Sequence, residues 1–175
     1  MKMFVLGVIL TLVLLFAALY EGARLGYINL GADGKPSFAE SRLAMSVLDA
    51  SVNRNIPGLL NPLSPTEENI GEGAKIYLAH CAGCHGVPAN PDSVFGRSFY
   101  PPVPGFFKEP PDMSEPQNFY IVKHGVRWTG MPSFGSTLND TQTWQTVTFL
   151  SHVTSLSPAT RRIFDYPAPP VTASH

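Results

Sequence analysis

The residues best placed to do chemistry are Cys81-Ala-Gly-Cys84-His85. They contain the only two cysteines of the chain, with two residues between them and a histidine directly after. C-x-x-C-H is the attachment signature of a c-type haem. Two thiols at this spacing can both reach the vinyl groups on one edge of the macrocycle and form thioethers. The adjacent imidazole is then delivered to the iron as an axial ligand. One such motif implies one haem c, held covalently through Cys81 and Cys84 with His85 on the metal. Two other chemistries use the same residue types. A thioredoxin-like C-x-x-C follows a β-strand in an α/β pattern, and the sequence shows no such alternation. A zinc site would need more ligands; His80 or His124 could supply them, but no paired spacing points to one. Two cysteines also exclude a disulfide scaffold and any four-thiolate cluster.

A six-coordinate iron needs a second axial ligand, and Met131 is the best candidate. It lies in a Gly-rich loop, His124-Gly-Val-Arg-Trp-Thr-Gly-Met-Pro-Ser-Phe-Gly135. A thioether is a soft donor, and a Met/His pair raises the reduction potential above that of a bis-His site. Met113, just before the third helix of the compact domain and lead-in region, is the rival, while Met1 and Met3 lie in the apolar N-terminal run and Met45 in the lead-in helix. With His85 and Met131 both bound, no coordination position is left for a substrate, so no catalytic residue is assigned. Arg127 and Trp128 precede Met131 and could contact a haem propionate, Arg127 by charge-assisted hydrogen bonds and Trp128 through its N–H. They could equally be ordinary loop residues.

The elements that must position these groups are helices. Met3–Tyr20 is an uncharged run of eighteen residues, long enough for a transmembrane helix and longer than the apolar core of a signal peptide. No good small-x-small cleavage site follows it, so a retained anchor over residues 1–21 is expected, with a cleaved signal as the alternative. Lys2 places the N-terminus in the cytoplasm and the rest of the chain on the outer face. Residues 22–63 form a lead-in region. In it Ser37-Phe-Ala-Glu40 is a capping box for an amphipathic helix over roughly 38–53, followed by a Pro-rich linker. A compact domain over residues 64–156 should open with Ser64 as N-cap and Glu67 completing a capping box, the helix running to about His80. Residues 86–113 hold seven prolines and read as loop. Ser114 starts a helix that stops at Gly125, and another starts near Asn139. The tail, 157–175, reads as Pro-rich and extended.

Composition narrows the function classes. Twelve Lys/Arg against thirteen Asp/Glu give a net charge of −1, which argues against a nucleic-acid partner. Charged residues are only 14% of the 175, while Pro (17) and Gly (15) are plentiful, as in a small loop-rich domain.

Residues 64–156 resemble a class I, mono-haem cytochrome c domain. The resemblance rests on Gly73-Ala-Lys-Ile-Tyr77-Leu-Ala-His-Cys81-Ala-Gly-Cys84-His85-Gly and on Gly130-Met131-Pro132. It implies an all-α fold wrapped around one haem. Gly73 and Tyr77 would pack against the C-terminal helix, where Trp144, Val147 and Leu150 are the natural counterparts. It also implies haem-pocket roles for Tyr77 and Pro132, and a proline carbonyl, of Pro102 or Pro104, accepting a hydrogen bond from His85. The function implied is one-electron transfer between donor and acceptor proteins, from a single-pass anchor in a bacterial inner membrane with the haem domain in the periplasm. The alternative is a haem-relay subunit of a larger membrane oxidoreductase, respiratory or photosynthetic, for which the lead-in helix would supply a partner surface. A sensor or peroxidase would require a displaceable Met131. A domain of this size buries a limited core, so the haem-free chain is expected to fold poorly.

Overall fold

The computed structural model describes residues 1–165. The chain divides into two compact units, Met1–Gly31 and Ala32–His175. The first unit is α1, Lys2–Arg24, a helix of 23 residues with no buried side chain. At 1.5 Å per residue it is about 35 Å long, enough to cross the ~30 Å hydrocarbon core of a bilayer. By length and composition it is the one membrane-span candidate among the described residues. It continues past the eighteen-residue apolar run to a last turn containing Glu21 and Arg24.

The second unit is all-helical, with no strand among the described residues. Its helices are α2 (Phe38–Asn55), α3 (Glu67–His80), the one-turn α4 (Ala82–His85), α5 (Glu115–His124), α6 (Asp140–Ser151) and the one-turn α7 (Pro158–Arg161). Short 3-10 turns occupy Gly96–Ser98 and Arg162–Asp165. The capping boxes of α2 (Ser37/Glu40) and α5 (Ser114/Gln117) form as the sequence indicates, and Asn139/Gln142 caps α6. The cap of α3 does not: Thr66, not Ser64, is the N-cap, its hydroxyl accepting from Asn69 N–H at 3.2 Å. The Ser64 carbonyl instead accepts from the Asn69 side chain at 2.9 Å. The tail also differs from expectation, because residues 158–165 are helical turns rather than extended chain. Ser157 and Thr160 hydroxyls both donate to the Glu67 carboxylate, at 2.5 and 2.7 Å, and pin these turns to the start of α3. Residues 166–175 lie outside the described residues.

The core centres on the crossing of α3 and α6. Gly73 makes the close approach possible: a Cβ there would overlap the Gln145 carbonyl and lie 2.8 Å from Phe149 Cβ. Around that contact Ala74, Tyr77, Phe149, Leu150, Val153 and Leu156 are buried together. The expected counterparts on the C-terminal helix are therefore partly corrected. Tyr77 packs on Phe149, ring centroids 5.1 Å apart, with Leu150 in the same cluster. Trp144 and Val147 face the other way, and Trp144 stacks on Phe119 of α5 at 4.1 Å.

The lead-in helix α2 folds onto its own domain. Val52 is fully buried, and Asn53 accepts a hydrogen bond from Gln117 of α5 at 3.0 Å. At the other end of α2 the Tyr100 hydroxyl donates to the Glu40 carboxylate at 2.8 Å. The Pro-rich linker is stitched down as well, with the Asn61 amide donating to Glu115 and Thr148, each at 3.0 Å.

Candidate functional site

Cys81 ends α3, and α4 follows without a loop, so Cys81, Cys84 and His85 share one helical turn. The N–H groups of Cys84 and His85 both donate to the Cys81 carbonyl, at 3.0 and 2.9 Å. Gly86 ends the turn at φ 83°, a left-handed conformation that favours glycine. A Cβ there would also strike the Asn90 and Pro91 carbonyls at 2.8 and 2.5 Å. Tyr77, buried one turn before Cys81, donates its hydroxyl to the Gly86 carbonyl at 2.8 Å. The aromatic at the helix crossing thus also ties down the exit of the motif. The two cysteines form no disulfide with each other. Burial pushes the Cys81 thiol up to about 12, with Cys84 nearby adding to the shift, and burial raises the Cys84 thiol too.

The His85 ring is held from two directions. Its Nδ1–H donates to the Pro104 carbonyl at 2.9 Å, so of the two candidate prolines Pro104 supplies the acceptor and Pro102 stays exposed. This tautomer leaves the Nε2 lone pair for a metal. Burial lowers the His85 pKa, opposed in part by the bond to Pro104, and so favours the neutral imidazole that can ligate. Phe106 stacks on the His85 ring, with centroids 4.3 Å apart and planes 8° from parallel, and its N–H donates to the His85 carbonyl at 3.3 Å. Sequence reasoning missed Phe106. Its only signal was its place two residues after Pro104.

Met131 is half-buried in the loop between α5 and α6. Its carbonyl accepts from Val126 N–H at 3.1 Å, and its N–H donates to Thr129 Oγ1 at 3.1 Å. The loop is bound to α5 through Phe134 N–H to Val122 O, Gly135 N–H to Lys123 O and Ser133 Oγ to Lys123 O, at 2.7–3.1 Å. The Phe99 ring lies directly against Gly130, which brings the 99–104 segment that serves His85 into contact with the segment that carries Met131. Pro132 is exposed beside Met131. Arg127 is exposed, with no hydrogen bond or ion pair among the described residues, and Trp128 is 95% exposed. The rival Met113 sits just before α5, its carbonyl accepting from Asn118 at 2.9 Å.

This donor set fits a haem c. Two thiols on one turn match two vinyl groups, a neutral imidazole presents Nε2, and a thioether lies in the loop between α5 and α6. Among the described residues no group of three or more His, Cys, Asp or Glu side chains is placed to hold a metal ion.

Residues 68–150 match the family described as Cytochrome C oxidase, cbb3-type, subunit III. No curated protein and no solved structure matches the chain.

Proposed function

Residues 68–150 being a cytochrome c domain, whose chemistry is haem-based electron transfer, we propose that the protein is a membrane-anchored mono-haem cytochrome passing single electrons between redox partners. The observation that carries this reading is the shared turn of Cys81, Cys84 and His85, with the His85 Nδ1–H committed to the Pro104 carbonyl. When bound, the haem supplies an iron that cycles between Fe(II) and Fe(III). Cys81 and Cys84 would hold it covalently, His85 would present Nε2, and Met131 would present its thioether from the loop between α5 and α6. Pro104 and Phe106 fix the His85 ring, so that little reorganisation accompanies each electron. Tyr77 and Pro132 shape the pocket, while Arg127 and Trp128 serve at its rim. The helix α1 anchors the domain at a bacterial inner membrane, N-terminus in the cytoplasm and haem domain in the periplasm.

The second reading is a haem-relay subunit of a larger membrane oxidoreductase, and the name of the matched family, a cytochrome c oxidase subunit, favours it. Native electrophoresis of membranes in mild detergent, with haem staining and identification of co-migrating chains, separates the two. Haem stain at the mass of this chain alone supports a free anchored carrier. Stain moving with other redox subunits makes it a fixed relay, and the absence of covalent haem from the 19.0 kDa chain refutes both.

A further inference from the structure

One hydroxyl closes the loop that carries Met131. Thr129 Oγ1 donates to the Val126 carbonyl at 2.8 Å and accepts from Met131 N–H at 3.1 Å, while Val126 N–H donates to the Met131 carbonyl at 3.1 Å. These three bonds form a buckle across residues 126–131, and two of them run through the Thr129 side chain. The turn so closed holds Trp128 at φ 60°, the left-handed region that an L-residue enters against a steric penalty. The Trp128 side chain makes almost no contact with the rest of the chain, so packing within the protein does not offset that penalty. The buckle bonds hold the turn. Beyond it the chain is fixed to α5 by Phe134, Gly135 and Ser133, so the span able to swing is the short piece that bears the thioether.

We infer, resting on the ligation proposed for Met131, that Thr129 is a positioning residue: its hydroxyl keeps the 126–131 buckle closed and so holds the Met131 sulfur at the iron. Each net hydrogen bond favours the closed form by a factor of about 2–10. A competing ligand reaches the iron only through the open form, so its apparent affinity rises with the open population.

The test uses the full-length holoprotein in mild detergent, with imidazole as the competing ligand. Its affinity for the oxidised protein is read from the visible spectrum, alongside the iron–thioether charge-transfer band. Thr129→Val is expected to bind imidazole about ten-fold more tightly and to show a weakened thioether band. Thr129→Ser, which keeps the hydroxyl, is expected to stay within about two-fold of the unaltered protein. Wild-type affinity in Thr129→Val, or a Thr129→Ser variant as loose as Thr129→Val, overturns the role given to Thr129. Met131→Ala separates the two levels. A thioether band lost in Met131→Ala but untouched in Thr129→Val defeats the buckle alone. A spectrum unchanged by Met131→Ala defeats the ligation and the buckle together.

Discussion

The contact of α3 with α6 at Gly73 gives the sharpest test of the packing. A Cβ at position 73 meets the Gln145 carbonyl and Phe149 Cβ, neither of which can rotate away, so the two helices must move apart. Overpacking of this kind costs about 1–3 kcal/mol, and contact with backbone puts Gly73→Ala at the upper end. Alanine recovers about 1 kcal/mol over glycine in a helix interior, leaving a net loss of about 2 kcal/mol. Gly71 lies two residues earlier in the same helix, and a Cβ there would have nothing within 4 Å. Gly71→Ala therefore keeps only the helix gain, a stabilisation of about 1 kcal/mol. For a domain of about 100 residues each kcal/mol shifts Tm by about 4–8 °C, so the two variants should separate by about 12–24 °C. The assay is thermal unfolding of the full-length holoprotein in mild detergent, followed by far-UV circular dichroism. Shifts of the same sign in both variants would refute the close approach at Gly73.

Three further outcomes are expected. Tyr77→Phe leaves the Gly86 carbonyl without its buried partner and should cost about 1–3 kcal/mol in guanidinium unfolding; an unchanged midpoint would show that the bond to Gly86 is dispensable. Hydrogen bonds from Ser157 and Thr160 hold the Glu67 pKa below its ordinary 4.5. That contribution is complete above the unfolded value and is lost as pH falls through the lower folded value, so Ser157→Ala should move the Glu67 titration, followed by NMR, upward; a Glu67 that titrates at or above 4.5 in the unaltered protein would contradict this. Trp128→Gly and Trp128→Ala lose the indole alike, but only glycine occupies φ 60° without a steric penalty, so the glycine variant should be the more stable of the two by about 1 kcal/mol; equal unfolding midpoints would mean that the left-handed backbone at 128 carries no penalty.

Much of the candidate site could be proposed from sequence because it is local. Cys81, Cys84 and His85 are neighbours in sequence, so one helical turn suffices to bring them together, and the Met131 loop is marked by its glycines. The helix starts at Ser37, Ser114 and Asn139 were legible for the same reason, since a capping box is complete within four residues. The misread cap of α3 has an equally local cause: Ser64-x-x-Glu67 and Thr66-x-x-Asn69 both resemble caps, and only the fold decides between them. What pattern reading missed depends on long-range packing. Helix α6 buries opposite faces against α3 and α5, and carries buried Thr143, Thr146 and Thr148 besides. Thr143 and Thr146 satisfy their hydroxyls on carbonyls four residues back, so a polar-looking helix is buried nearly all round and its periodicity does not single out Phe149 as the partner of Tyr77. The stack of Phe106 on His85 and the latch of Tyr100 on Glu40 join segments 21 and 60 residues apart, and no local rule reports either.

The most direct test of the central claim is the intact mass of the chain recovered from membranes of cells able to mature c-type haem, measured beside the Cys81→Ser, Cys84→Ser double variant. A mass of 19.0 kDa plus one haem, absent from the double variant, is expected. A chain without covalent haem, or with haem still bound when both thiols are gone, would contradict it.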